Sequence, residues 1–216
     1  MSEMFNNPQI FILWLIAIIT SLSVHEFSHA LAATLLGDET AKEKGRLTLN
    51  PLAHIDLFGL FALVFVHFGW GKPVPYNPYH LKNRKTGELT IALAGPASNL
   101  VMAIISAVIL KVSFYYLGGD NLLVNFLAFS FFINIVLMVF NLIPLPPLDG
   151  SKMIFYFLND TQYSKFRYSL EYYGQWVLMG IVFADIVLGL GIIGNIISIP
   201  VKFSVHLFGL SSIFGL

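Results

Sequence analysis

Cysteine is absent from the 216 residues. Disulfides are therefore excluded, and any bound zinc must be held by His, Asp or Glu. Charge is scarce too. Asp, Glu, Lys and Arg make up 11% of the chain, about half the share of a soluble domain. The 12 basic and 12 acidic residues cancel, so no net positive field points to a nucleic acid partner. Residues 1–9 contain no Lys or Arg. A basic signal-peptide n-region is missing, no small-residue cleavage site follows, and the first apolar segment is expected to be retained. Internal repeats, low-complexity tracts and a separate soluble domain are also lacking. What is there is apolar: 56% hydrophobic residues and a mean hydropathy of +0.76. The expectation is an integral membrane protein with one membrane-embedded domain over residues 1–216, its core about 9–150 and its C-terminal helices about 171–216.

The first apolar segment, Gln9 to Gly37, is long enough to span a bilayer with tilt. A second run, Leu57 to Trp70, is too short to span comfortably. It contains Gly59, His67 and Gly69, and Gly71, Pro73 and Pro75 follow. It reads as a re-entrant or interfacial element, with a β-hairpin as one form and a short true transmembrane helix as the alternative. Leu89–Leu117 and Leu122 to about Ile143 form further spans. The stretch Ser151–Glu171 reads as interfacial. A last apolar segment from about Trp176 is broken by Gly189, Gly191, Gly194 and Pro200, and is either one helix with a tail or two helices. The fold class is all-α: a bundle of four to five transmembrane helices with a re-entrant or β-hairpin element after the first. Asp185 has no evident partner and either faces the bundle interior or reaches water.

Inside the first segment lies His25-Glu26-Phe27-Ser28-His29. Histidines four residues apart share one face of a helix and can bind one metal ion. Glu26 then lies where it can take a proton from the attacking water. Imidazoles and a carboxylate in an apolar helix are costly, and such groups usually serve a function. The alternative is a pair of buried structural histidines.

Placement of Lys and Arg sets the orientation. If Leu57–Trp70 does not cross, one side collects Lys42, Lys44, Arg46, Lys72, Lys82, Arg84, Lys85, Lys152, Lys165 and Arg167. The other keeps little beyond Glu3, Asp120, Lys111 and Lys202. The first and third spans then run parallel, and both end on the basic, cytoplasmic side. The third ends in Asn141-Leu142-Ile143-Pro144-Leu145-Pro146-Pro147-Leu148-Asp149-Gly150, where prolines force the helix to unwind. Alone, Asp149 reads as a turn residue. At the depth of His25 and His29 it reads as the third protein ligand of a zinc site with one open position.

The chain resembles the site-2 protease family of intramembrane zinc metalloproteases, peptidase M50, in its small form without a PDZ or CBS domain. The resemblance rests on H-E-F-S-H at 25–29 and N-L-I-P-L-P-P-L-D-G at 141–150. A-G-P-A-S-N at 94–99 and L-N-P-L-A-H-I-D at 49–56 are similar to family features. It implies Zn2+ held by His25, His29 and Asp149, with Glu26 as catalytic base and acid. Asn141 is implied as a residue that holds the substrate or its oxyanion. The implied reaction is hydrolysis of a peptide bond in or near the transmembrane segment of another membrane protein. The implied setting is a multi-pass protein in the lipid bilayer of the cell membrane, with the active site towards the cytoplasmic side.

Water must reach such a site, and His54, Asn50 or Asn99 are candidates to line its channel; Asn99 alternatively serves as interhelical glue. An unwound substrate needs a partner, and Leu57–Pro75 offers a strand edge for it. Two rival readings remain. A metal-binding transporter or regulatory pseudoprotease would need the ligands but not Glu26. A membrane zincin of the CAAX type would take a glutamate as third ligand, for which Glu171 is the late candidate.

Overall fold

The first helix begins where the sequence supplies a cap. Asn7 accepts from the backbone N–H of Gln9 and Ile10, and Pro8 opens helix α1 (Pro8–Leu35). It stops before Gly37, whose φ of 103° turns the chain away. The computed structural model describes residues 7–66, 68–158 and 162–215; His67 lies outside them. A short helix α2 (Thr40–Glu43) and a 3-10 turn at Pro51–Ala53, capped by Asn50, lead to α3 (Leu57–Val66). Then come α4 (Arg84–Leu117), α5 (Leu122–Asn141), α6 (Gly150–Phe157), α7 (Ser164–Leu188), α8 (Ile192–Leu207) and α9 (Ser211–Phe214). Among the described residues the architecture is all-α.

Helices α1, α4 and α5 pack against one another in all three pairings. Each is long and apolar enough to cross a membrane. Helices α7 and α8, bent by 94° at their junction, add a fourth crossing if they form one broken span. Only 28%, 22% and 39% of the apolar windows of α1, α4 and α5 are buried inside the protein. The remaining apolar faces point outward, as lipid-facing surfaces do. Part of α4 and α5 is sealed by α8 around Ala103, Leu110, Phe131, Ile135 and Val205.

Three expectations need correction. The run after the first span is not a hairpin. Residues 57–66 form a helix, which satisfies its own backbone groups without a partner strand. Among the described residues only the flanks pair: Ile55 and Gly71 form one antiparallel bridge, and the Lys72 N–H donates to the His54 carbonyl at 2.8 Å. A side chain at Gly59 would strike the Trp70 backbone, and one at Gly69 the Gly59 carbonyl, so the two glycines let the returning leg lie against α3. Second, α4 starts at Arg84 rather than Leu89. Asn83 caps it through the Thr86 N–H, and Arg84 pairs with Glu88 one turn on at 2.9 Å. Third, Asp185 has a partner: its carboxylate accepts from the N–H groups of Ile192 (2.6 Å) and Ile193 (3.2 Å), at the start of α8. That contact helps hold the sharp turn between two separate helices.

Candidate metal centre

One turn of α1 brings His25 and His29 to the same face, as the helical repeat requires. Both are buried, at 3% and 8% exposure. Each ring is held through Nδ1: His25 by the Asn99 side-chain oxygen at 2.6 Å, His29 by the Ile91 carbonyl at 2.7 Å. A carbonyl oxygen only accepts, so each Nδ1 carries a proton, and in the neutral imidazole each Nε2 keeps its lone pair. The two Nε2 atoms face each other at 3.0 Å. With the protons on Nδ1, that contact is not a hydrogen bond but two converging lone pairs.

The third donor arrives from the end of α5. Pro144, Pro146 and Pro147 unwind the chain, and Gly150 lets it fold back. A side chain at Gly150 would strike the Leu142 and Ile143 carbonyls. Gly174 of α7 lies against the Pro146 ring and braces the loop from behind. Asp149 precedes α6 without capping it, so its carboxylate is left for another partner. Its Oδ2 lies 3.3 Å from both Nε2 atoms. That oxygen is buried and makes no hydrogen bond.

With both imidazoles neutral, two lone pairs and a carboxylate oxygen converge on one point. Such a triangle is repulsive unless a cation fills it. Its edges of 3.0, 3.3 and 3.3 Å also match a metal. Donors bonded to one zinc at 2.0–2.1 Å with tetrahedral angles lie about 3.3 Å apart. The His25, His29, Asp149 group can hold a metal ion, and its oxygen and imidazole donors suit zinc.

The centre opens into a cavity of about 220 Å³ lined by both histidines, Asp149, Glu26, Asn141, Pro73, Val74, Glu88 and Lys152, among others. Glu26 is thus beside the donors, facing the same space. The Asn141 amide donates to the Leu137 carbonyl of its own helix at 3.0 Å. Glu88 at the cavity wall pairs with Arg84 at 2.9 Å and with Arg167 of α7 at 3.6 Å. Glu171, the candidate ligand of the rival reading, pairs instead with Arg167 at 3.2 Å.

None of the three expected channel residues lines this cavity. Asn50 is spent capping the Pro51–Ala53 turn. His54 is fully buried, with its Nε2 on the Thr48 carbonyl at 2.7 Å. Asn99 takes the interhelical role instead, joining α4 to α5 through Asn134 at 2.8 Å, and it also binds His25. Asn134, Gly95 and the Ile91 carbonyl were not foreseen. The small-residue run at 94–99 was a signal for Gly95. Nothing local marked Asn134.

Residues 112–184 match the model of peptidase family M50. The chain is 42% identical over 146 residues to "Putative zinc metalloprotease YwhC" of Bacillus subtilis, an alignment covering 64% of this chain and 66% of that protein. It is 33% identical over 146 residues to "Putative zinc metalloprotease Rip2" of Mycolicibacterium smegmatis, covering 65% and 55%. It is 32% identical over 147 residues to "Putative zinc metalloprotease MJ0611" of Methanocaldococcus jannaschii, covering 67% and 70%. The chain thus spans just under two thirds of the Bacillus protein and about half of the mycobacterial one. No solved structure gives a significant match.

Proposed function

The chain belongs to peptidase family M50, the site-2 proteases, and from that premise we propose that it is an intramembrane zinc metalloprotease. Its substrate is another membrane protein, cut in or near a transmembrane segment. One observation carries the reading: three convergent donor atoms share a cavity with a carboxylate that is not one of them.

His25, His29 and Asp149 would hold the metal, at the wall of the cavity. A bound Zn2+ supplies Lewis acidity, lowering the pKa of water towards about 7 and polarising the scissile carbonyl. Glu26 takes the proton of the attacking water and delivers it to the leaving amine. Asn141 releases its amide from the Leu137 carbonyl and donates to the oxyanion that forms on the substrate.

A helical substrate hides its carbonyls and must unwind. The leg after α3 offers it a template. Gly71 and Lys72 are already paired on one edge to Ile55 and His54, and Pro73 and Val74 continue into the cavity wall. We assign the opposite edge to the substrate. Cross-linking from position 74 that never captures substrate would exclude this.

The whole chain acts as one membrane-embedded domain. The two flanks of α3 are bonded together through residues 54–55 and 71–72, and α3, about 15 Å long, is half the thickness of a ~30 Å core. Both features support reading it as a re-entrant element. The basic residues Arg84, Lys152 and Arg167 at the cavity end of the bundle support a cytoplasmic orientation of that end, with water entering from that side.

The test compares wild type with Glu26→Gln in purified protein and in cells. We expect equal metal content, cleavage lowered by about 100- to 10,000-fold, and accumulation of uncut single-pass membrane proteins in the variant. Undiminished cleavage by Glu26→Gln refutes the mechanism. A wild type that binds metal and cuts nothing favours a binding protein instead.

A further inference from the structure

A line of polar side chains leads from the centre into the apolar bundle, and the reaction above does not use it. It joins Ser21 of α1, Asn99 and Ser106 of α4, and Ser130 and Asn134 of α5. Ser21, Asn99 and Asn134 have no exposed surface, and the two other serines have 4%. Polar atoms at such depth are costly unless each finds a partner, and here they do.

The distances also fix which way each amide faces. Asn134 donates through Nδ2 to the Ser21 hydroxyl and to the Ser130 carbonyl, both at 2.8 Å. Its oxygen must therefore turn to Asn99, whose Nδ2 donates to it at 2.8 Å. The same Asn99 nitrogen is directed at the Ser21 carbonyl at 3.4 Å. Its oxygen is thereby left for His25 Nδ1, at 2.6 Å. A flipped Asn99 would set its oxygen against the Asn134 oxygen. It would also present N–H to His25 Nδ1 and so move the imidazole proton to Nε2, into the metal position. The orientation of Asn134 forbids that flip.

We propose that Asn134, which does not touch the centre, is a positioning residue that sets the tautomer of the metal ligand His25 by locking the amide of Asn99. The inference rests on the metal-centre reading of His25. Asn134 also ties α5 to α1 and α4, so the test must separate interhelical bonding from control of the tautomer.

Ser106 provides the control. Its hydroxyl meets the Ser130 hydroxyl at 2.9 Å. Ser106→Ala removes a buried hydrogen bond from the same network without freeing either amide. The full chain in detergent is titrated with Co2+, following the d–d absorption of the bound ion, and Tm is measured beside it. Asn134→Leu is expected to weaken Co2+ binding by about 10- to 100-fold, the usual cost of losing an outer partner of a ligand, and to shift the absorption bands. Ser106→Ala lowers Tm and leaves affinity and spectrum unchanged. Asn99→Asp in the Asn134→Leu background restores affinity, because a carboxylate accepts from Nδ1 in either orientation. If Asn134→Leu does not fold, Asn134→Ala removes the same acceptor without added bulk.

An Asn134 variant with wild-type affinity and spectrum overturns the proposal while leaving the metal centre standing. So does Ser106→Ala weakening binding as much as Asn134→Leu. A wild type that takes up no Co2+ sinks the metal centre and this proposal together.

Discussion

Gly95→Ala should disable the centre although residue 95 has no polar side chain to lose. On an exposed helix this exchange stabilises by about 0.5–1 kcal/mol, since alanine restricts the unfolded chain more than glycine does. Here the added carbon would sit 2.5 Å from His25 Cε1 and 2.6 Å from His25 Nε2, and closer still to His29 Nε2. Ordinary contact begins at 3.4 Å, so both rings must retreat by about 1 Å, or α4 must move away from α1. Metal bonds tolerate about 0.2 Å. The rings cannot retreat freely either, because the Asn99 oxygen and the Ile91 carbonyl hold them from the other side. Overpacking of this kind costs about 1–3 kcal/mol. If the whole strain falls on the metal-loaded state, affinity drops by about 5- to 150-fold, at 1.4 kcal/mol per factor of ten. The assay is zinc retention against a chelator series in detergent. Gly180→Ala is the matched control: residue 180 lies inside α7, and nothing is within 4 Å of the added carbon. Its zinc retention should equal that of wild type, with Tm unchanged or raised. Gly95→Ala protein that retains zinc like the control would show that α4 does not press on the histidines, and the described geometry would be wrong.

Asp149→Ala should weaken zinc binding by more than the 10- to 100-fold typical of an outer partner, whereas Glu171→Ala should leave it unchanged. The reverse pattern, read by metal analysis of the two proteins, would restore the glutamate-ligand alternative. Acid should loosen the segment after α1. Burial raises the Asp38 carboxyl, but the Thr40 hydroxyl, the N–H groups of Asn77 and Thr40, and His80 outweigh it and hold Asp38 below its ordinary value. A lowered folded value adds stability that is complete above the unfolded value near 3.9 and is lost as pH falls through the lower folded one. Pepsin nicking within residues 38–80 should therefore rise as pH falls below about 4, and Asp38→Asn should be nicked readily across the whole range; identical profiles would contradict this.

The sequence by itself determined whatever depends on local periodicity or on bulk. Apolar stretches of sufficient length announced α1, α4 and α5, because only closed backbone hydrogen bonding survives in lipid. The four-residue spacing of His25 and His29 implied a shared face, because the helical repeat allows no other. Three prolines after Asn141 required unwinding, because proline has no N–H to give. The run at 57–66 was ambiguous, since a short apolar segment rich in Phe and Val carries no period that separates helix from strand. Helix boundaries also moved wherever a polar cap, Asn83 or Asp185, outweighed the hydropathy profile.

Only the tertiary structure decided which way each helix is turned about its own axis. A helix in lipid is apolar on its outer face as well as its inner one, so no hydrophobic stripe reveals the side that packs. For that reason Asn134 could not be told from any other mid-span polar residue. The role of Gly95 as the surface both histidine rings rest on, and of the Ile91 carbonyl as the acceptor for His29, was equally hidden. The meeting of Asp149 with residues more than a hundred positions earlier depended on the same rotations. Those are set by the sum of contacts among three helices, and no single segment carries them.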